Sequence, residues 1–163
     1  MTQNGQHSPL MSYFQQQQTP AGWFDLLTIM IDNMVRNVGQ TDSQPFLRQM
    51  GEALAERFPL PDSETVGELE ANINALLRQF NWGFIDIEAS ESGMLLRQQG
   101  LPLGRDDDRQ GWCHAFCAIL EGLYARWLQA QGGGAHVTVQ RERLFSHTDV
   151  QFRYHNSQRV EPR

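Results

Sequence analysis

The stretch NALLRQFNWGFIDIE, Asn74 to Glu88, constrains the fold more than any other part of the chain, because the spacing of apolar residues changes inside it. Up to Phe80 the apolar positions Leu69, Ile73, Leu76, Leu77 and Phe80 recur at three and four residues, the period of a helix with one wide buried face. After Gly83 they alternate, with Ile85 and Ile87 on one side and Phe84, Asp86 and Glu88 on the other. A chain that changes period across Asn81, Trp82 and Gly83 must end a helix there, begin a strand, and pack one against the other. Asn81 and Gly83 read as the residues that end the helix, and Trp82 as a residue that locks the changeover into a core or a subunit contact.

The same periodicities place the remaining elements. Trp23, Leu27, Met30, Met34 and Val38 predict a helix from Trp23 to about Val38 with that stripe buried, ended by Gly39. Phe46, Met50, Leu54 and Phe58 predict a second over about Gln44 to Phe58, stopped by Pro59–Asp62. The third begins with Asp62 or Ser63 as N-cap, and its apolar face takes in Val66 as well. Beyond the turn ASESG, MLLRQQ reads as a second strand, and the polar loop GLPLGRDDDRQG leads to a long fourth helix over about Gln110 to Ala130. Trp112, Phe116, Ile119, Leu120, Leu123 and Trp127 face inward on it, and Gly132–Gly134 close it. AHVTVQRE and DVQFRYH alternate and form a last antiparallel pair, with RLFSHT between them. The expected class is α+β: three N-terminal amphipathic helices, a short strand pair, a long fourth helix and a C-terminal antiparallel strand pair. Residues 1–20, with Gln15 to Gln18 in a row, read as a flexible Gln-rich arm carrying Met11, Tyr13 and Phe14. Residues 21–156 form a single domain, and 157–163 a flexible tail.

Composition narrows the function classes. A formal net charge of −6 works against a nucleic-acid partner. Every basic residue is Arg, so Schiff-base chemistry and a P-loop lysine are excluded. No apolar run approaches the roughly 18 residues a bilayer span needs, and the N-terminus has neither a basic start nor an apolar core of a secretory signal. A soluble cytoplasmic protein is expected, with the periplasm as the alternative. Cys113 and Cys117, four residues apart on one helix, read as reduced core thiols.

Three patterns could carry chemistry. Asp86 and Glu88 share one strand face at roughly 7 Å between Cα atoms, a separation that could suit a pair of glycosidase carboxylates. Carboxylates alternating on a half-buried strand more often mark its solvated face, and that reading is preferred. The run Arg105–Arg109 is a solvated loop before a helix N-terminus, lacking the glycine-punctuated spacing of a calcium loop. In WCHAFC, His114 is rotated by about 100° from Cys113, so a common ligand centre would need His136 or His147 from elsewhere. No metal and no cofactor are expected. With no nucleophile elbow, dinucleotide or phosphate-loop motif, and no HExxH, the chain reads as a non-enzyme. Trp23, Trp82, Trp112 and Trp127 lie on apolar stripes and read as core or subunit-contact residues, with stacking on sugar rings as the functional alternative.

NALLRQFNWGFIDIE followed by LEGLYARWLQAQ (Leu120 to Gln131) resembles the bacterial cellulose synthase D-subunit family, in which a similar N-A-L-L helix runs into N-W-G and a strand, and a similar E-G-L-Y-x-R-W helix precedes the C-terminal strands. The likeness covers about Trp23 to Tyr154; the Gln-rich arm and QGGGAH depart from the pattern. The resemblance implies a non-catalytic accessory protein whose dimers assemble into a ring-like octamer. It implies association with the membrane cellulose synthase complex, arranged in rows for crystalline cellulose export, and a proline-rich accessory protein as partner. Trp82, Phe84, Tyr124 and Trp127 are the aromatic residues expected at or beneath its interfaces. The alternative it offers is a conduit for glucan chains through the octamer, contacted by Tyr13, Phe14 and Trp23. The helix, glycine turn and paired strands of the C-terminal half also resemble small-molecule-sensing domains of the four-vinyl-reductase type, in fold alone.

Overall fold

The computed structural model describes residues 9–91, 93–103 and 109–156. The first eight residues, the acidic positions Asp106–Asp108 and the tail 157–163 lie outside them. Among the described residues five α-helices and four strands follow one another as α1 (Pro9–Gln18), α2 (Trp23–Val38), α3 (Gln40–Arg57), α4 (Val66–Phe80), β1 (Phe84–Ser90), β2 (Gly93–Gln99), α5 (Arg109–Leu128), β3 (Val137–Ser146) and β4 (Asp149–Asn156). The α+β order is the expected one, with α1 added where a flexible arm was anticipated.

The strands form one antiparallel sheet in the order β1-β2-β4-β3. Ile85, Leu96, Val150, Phe152, Val137 and Val139 point to one face and are buried beneath the helices. Phe84, Asp86 and Glu88 point to the other, and Phe84 is exposed there, so the alternation read from the sequence is the alternation observed. α5 runs through the middle of the molecule and is buried on nearly every side, from Trp112 to Leu128. A helix apolar all round can only sit inside, and here α3 and the sheet cover it.

The contact of α3 with α5 sets the layer spacing. A Cβ on Gly51 would lie 1.9 Å from the Ile119 carbonyl oxygen, and one on Gly122 would lie 2.0 Å from that of Arg48. The two backbones therefore touch, and α3 buries the stripe Ser43, Leu47, Gly51, Ala55, small at three of its four positions. This corrects the predicted stripe: Phe46 and Met50 lie one residue to the side and are exposed. Large apolar residues mark the side expected to need burial, but a close helix crossing selects small ones. α3 also starts a turn earlier than the expected Gln44, at Gln40, with the Ser43 hydroxyl donating to the Gln40 carbonyl.

α2 departs further. Its buried residue is Ile31, with Phe24, Met34 and Val35 half-buried, whereas Trp23, Leu27, Met30 and Val38 of the predicted stripe are exposed. α2 is apolar on more than one face, and one neighbouring layer can cover only one. At α4 the N-cap is Thr65 rather than Asp62 or Ser63: its hydroxyl accepts from Glu68 N at 3.0 Å, and Glu68 reaches back to accept from Glu64 N at 2.8 Å. The Thr-x-x-Glu spacing of a capping box was present in the sequence. α4 ends as read, on Asn81 with φ 63°. A five-residue π turn, Gln129–Gly133, closes α5, and β3 then runs on to Ser146, so the expected long connection is a tight hairpin at His147 and Thr148.

Candidate functional site

The feature that the fold leaves unfinished is an apolar face over α1, α2 and the start of α3. Leu10, Tyr13 and Phe14 on α1, and Trp23, Leu26, Leu27, Ile29, Met30 and Val38 on α2, all present side chains to solvent. Phe46 and Met50 continue the face on α3, and Trp23 is 78% exposed. Exposed apolar surface of this extent, on a chain whose α5 core is complete, is the mark of a contact surface. Of the expected glucan-contact residues, Tyr13, Phe14 and Trp23 all lie on this face.

The residues expected at or beneath interfaces divide. Tyr124 and Trp127 are buried in the core of the chain. Tyr124 donates its phenolic proton to Gln98 Oε1, and Gln98 Nε2 donates to the Trp82 carbonyl at 2.8 Å. Burial holds the Tyr124 phenol well above its ordinary pKa, so it remains a donor. Trp127 donates Nε1–H to the Phe58 carbonyl at 2.8 Å. Trp82 is half-buried in a continuous run of rings, Phe58, Phe80, Trp82, Phe116, Trp112 and Phe24, with neighbouring centroids 4.8–5.2 Å apart. That run ties the ends of α3 and α4 to α5 and α2. Phe84 is exposed, on the outer face of the sheet.

Behind Trp82 the junction is narrow. Gly83 has φ 81°, and a Cβ there would meet the Gln99 carbonyl oxygen at 1.8 Å. Only glycine fits. The free edge of β1 is closed by α4: the Asn74 amide donates to the Ile85 carbonyl at 3.0 Å and accepts from Ile85 N at 2.7 Å, while Glu70 accepts from Ile87 N at 2.8 Å. Glu121, nearly buried on α5, does the same for β3, accepting from Arg141 N at 2.7 Å and from Arg48 Nε at 3.0 Å. Helical side chains thus occupy backbone positions on both sheet edges.

The other candidates are accounted for by their neighbours. Asp86 stands across from Arg97 in the β1–β2 register, and Arg97 itself pairs in two-pronged fashion with Asp149 at 2.9 and 2.7 Å. That pair holds the Asp149 carboxyl below its usual range, through the hydrogen bonds from Arg97 first. Cys113 and Cys117 are buried, and Cys113 Sγ approaches the His147 carbonyl at 3.7 Å. Their mutual contact lowers the Cys113 thiol pKa and, with burial, raises that of Cys117. His114 turns instead to Arg141, Nδ1 to Nη1 at 2.7 Å, and burial with that cation keeps its imidazole pKa low. Among the described residues no three His, Cys, Asp or Glu side chains are placed to hold a metal ion together.

The sequence matches, over residues 9–155, the profile of the family described as the D subunit of cellulose synthase. The chain belongs to the cellulose synthase D-subunit family. This family of cellulose biosynthesis is matched from α1 to β4, so the α1–α2 face falls inside the shared region. Among curated relatives, cellulose synthase operon protein D of Komagataeibacter xylinus is 37% identical over 91 residues, 53% of this chain and 56% of that protein. The protein of the same description from Komagataeibacter sucrofermentans gives the same figures. Another from K. xylinus is 33% identical over 100 residues, 59% and 62% of the two chains. The chain thus aligns with little more than half the length of the curated relatives it matches. Among solved structures, a vinyl-4-reductase family protein from Methanocaldococcus jannaschii covers 83% of this chain and 80% of that one at 14% identity, with a TM-score of 0.49. Among the described residues of this D-subunit family member, no helix is long and apolar enough to cross a membrane.

Sequence reasoning missed how much of this family member's α2 and α3 surface stays uncovered. The signal was available: Trp23, Phe24, Leu26, Leu27, Ile29, Met30 and Ile31 give α2 more apolar residues than one stripe can hold.

Proposed function

We propose that this D-subunit family member is a non-catalytic accessory component of bacterial cellulose biosynthesis, working as a homo-oligomeric scaffold on the cytoplasmic side of the membrane cellulose synthase complex. Its dimers assemble into a ring-like octamer, which spaces synthase complexes so that nascent glucan chains crystallise together on export, with a proline-rich accessory protein as a further partner. The observation that carries this reading is the uncovered apolar face of α1, α2 and α3 on an otherwise complete core. Such a face is what a core divided between copies looks like. Light scattering on the purified chain tests the first step: a mass several times that of one chain is expected, and a stable monomer at micromolar concentration would overturn the scaffold. Fusion to a reporter active only after export tests the side of the membrane, where an inactive reporter is expected.

A second reading, the glucan conduit, is favoured by the exposed rings of Tyr13, Phe14 and Trp23 beside the polar Gln-rich segment. Calorimetry with cellopentaose on the full chain decides it: heat that saturates and is lost in Trp23→Ala supports the conduit, and no heat removes it. The carboxylate hydrolase based on Asp86 and Glu88 is set aside, since Asp86 stands across from Arg97 on the outer face of the sheet, beside the exposed Phe84.

A further inference from the structure

We infer that α1 of one copy seats on the exposed α2–α3 face of a second copy, and that two copies exchange these arms reciprocally. This rests on the oligomeric reading above and names the surface and the occupant. α1 is short for a helix that must hold its own shape. A helix of ten residues is below the roughly 12–15 at which isolated helices become even marginal in water. α1 also has no acidic residue in its first turn and no basic residue in its last to offset the dipole. Its helicity therefore has to come from packing.

Its own chain supplies an anchor at one end. Gln18 Nε2 donates to the carbonyls of Asn81 at 3.0 Å and Gly100 at 2.6 Å, which fixes the C-terminal end of α1 against the helix–strand junction. Further along, Leu10, Tyr13 and Phe14 remain 65%, 56% and 54% exposed. Four residues separate α1 from α2, and Gly22 among them has φ 87°, a left-handed backbone that sets the angle between the helices. Had α1 folded back on its own α2, both apolar faces would be hidden. Both are open, so the arm does not cover its own α2 and is free to cover that of a second copy.

The face left open on α2 and α3 suits that arm in character and size. α1, PLMSYFQQQQ, has no ionisable side chain other than Tyr13, so it covers Trp23, Met30, Phe46 and Met50 without burying an unpaired charge. Asp32 and Arg36, the charged pair along α2, already satisfy each other. The arm offers three large side chains, Leu10, Tyr13 and Phe14, each more than half exposed, and Trp23, Met30 and Phe46 on the receiving face are likewise more than half exposed. Because donor and acceptor faces lie on the same chain, reciprocal exchange closes a two-fold pair in which each contact is made twice.

The test uses full chains. Tyr13→Cys and Met30→Cys are introduced into separately tagged copies, which are co-expressed and treated with a short bis-maleimide; the resident Cys113 and Cys117 are buried. A covalent dimer carrying both tags is expected as the main product. It should fall to the level of the unsubstituted chain when Leu10→Glu and Phe14→Glu are added to the Tyr13→Cys copy. No two-tag dimer from a protein that light scattering shows to be oligomeric would overturn arm exchange and leave the scaffold standing. A monomeric mass for the unsubstituted chain would remove both.

Discussion

Where α3 crosses α5, Gly122 has no room for a methyl group, because the Arg48 carbonyl oxygen lies 2.0 Å from where its Cβ would be. Gly122→Ala must push the helices apart along a contact that spans most of both, and it is expected to cost about 3 kcal/mol, the upper end of overpacking effects. Gly67, near the start of α4, is the control: a Cβ there meets only the Thr65 hydroxyl at 3.8 Å. Gly67→Ala should stabilise by roughly 0.5–1 kcal/mol, as glycine removal does in an unstrained helix. Urea midpoints of the two variants, moving in opposite directions from the parent, check the assignment. The buried pair Tyr124–Gln98 gives a second residue-level prediction. Tyr124→Phe leaves Gln98 Oε1 without its phenolic donor in a site that water does not reach. A loss of about 1–3 kcal/mol is expected, read from the same unfolding curves. These two sites differ from the helix–strand junction in how far the sequence revealed them. Asn81, Trp82 and Gly83 were legible because a change of period forces a particular backbone there. Gln98 was not, because a glutamine on a strand reads as solvated until α5 is seen to lie over it.

Elements were legible wherever one face alone could be buried. α4, apart from the exposed Val66, follows its periodicity, as do β1 and β4, and the residues expected inward on α5 are all buried, although that helix is covered on nearly every other side as well. α2 and α3 were misread for related reasons. In α3 the close crossing prefers Ser43, Gly51 and Ala55 over the larger Phe46 and Met50; in α2 the apolar content exceeds what its one neighbouring layer covers. Pairing between elements has its own signature in pH. β2 and β4 are joined by Arg97 and Asp149, whose carboxyl pKa is depressed below its ordinary 3.8 chiefly by the hydrogen bonds from Arg97. A depressed carboxyl pKa stabilises the fold above the unfolded value and loses that contribution as pH falls through the folded one. The melting temperature should therefore be insensitive to this pair above about pH 5 and decline below about pH 4, near the unfolded Asp pKa. In Asp149→Asn that part of the acid decline should be absent, with the melting temperature lower near neutral pH; an unchanged acid slope would show the pair to be too solvated to matter.

At the scale of the molecule, one chain satisfies its core and part of each sheet edge but not its first two helices. Asn74 and Glu70 close β1, Glu121 closes β3 at Arg141, and the ring run from Phe58 to Phe24 fastens the helices together. A partner is thus not directed to those closed stretches of sheet edge; the apolar surface left over is helical. Trp23→Glu together with Met30→Glu separates assembly from folding, since both side chains point to solvent in the single chain. Burying a large apolar side chain is worth about 1.5–3 kcal/mol, and each substitution also places a charge where an apolar contact was. Two such losses, each made twice across a two-fold contact, exceed the roughly 4 kcal/mol that corresponds to a thousand-fold weaker association. Sedimentation velocity at micromolar concentration should find the double variant as a single-chain species where the parent is a multiple. Its far-UV circular dichroism should match the parent apart from the signal of a frayed α1, because the core from α3 to β4 makes no use of either side chain. An undiminished mass in the double variant would move the assembly surface off α2 and onto the outer sheet face around Phe84.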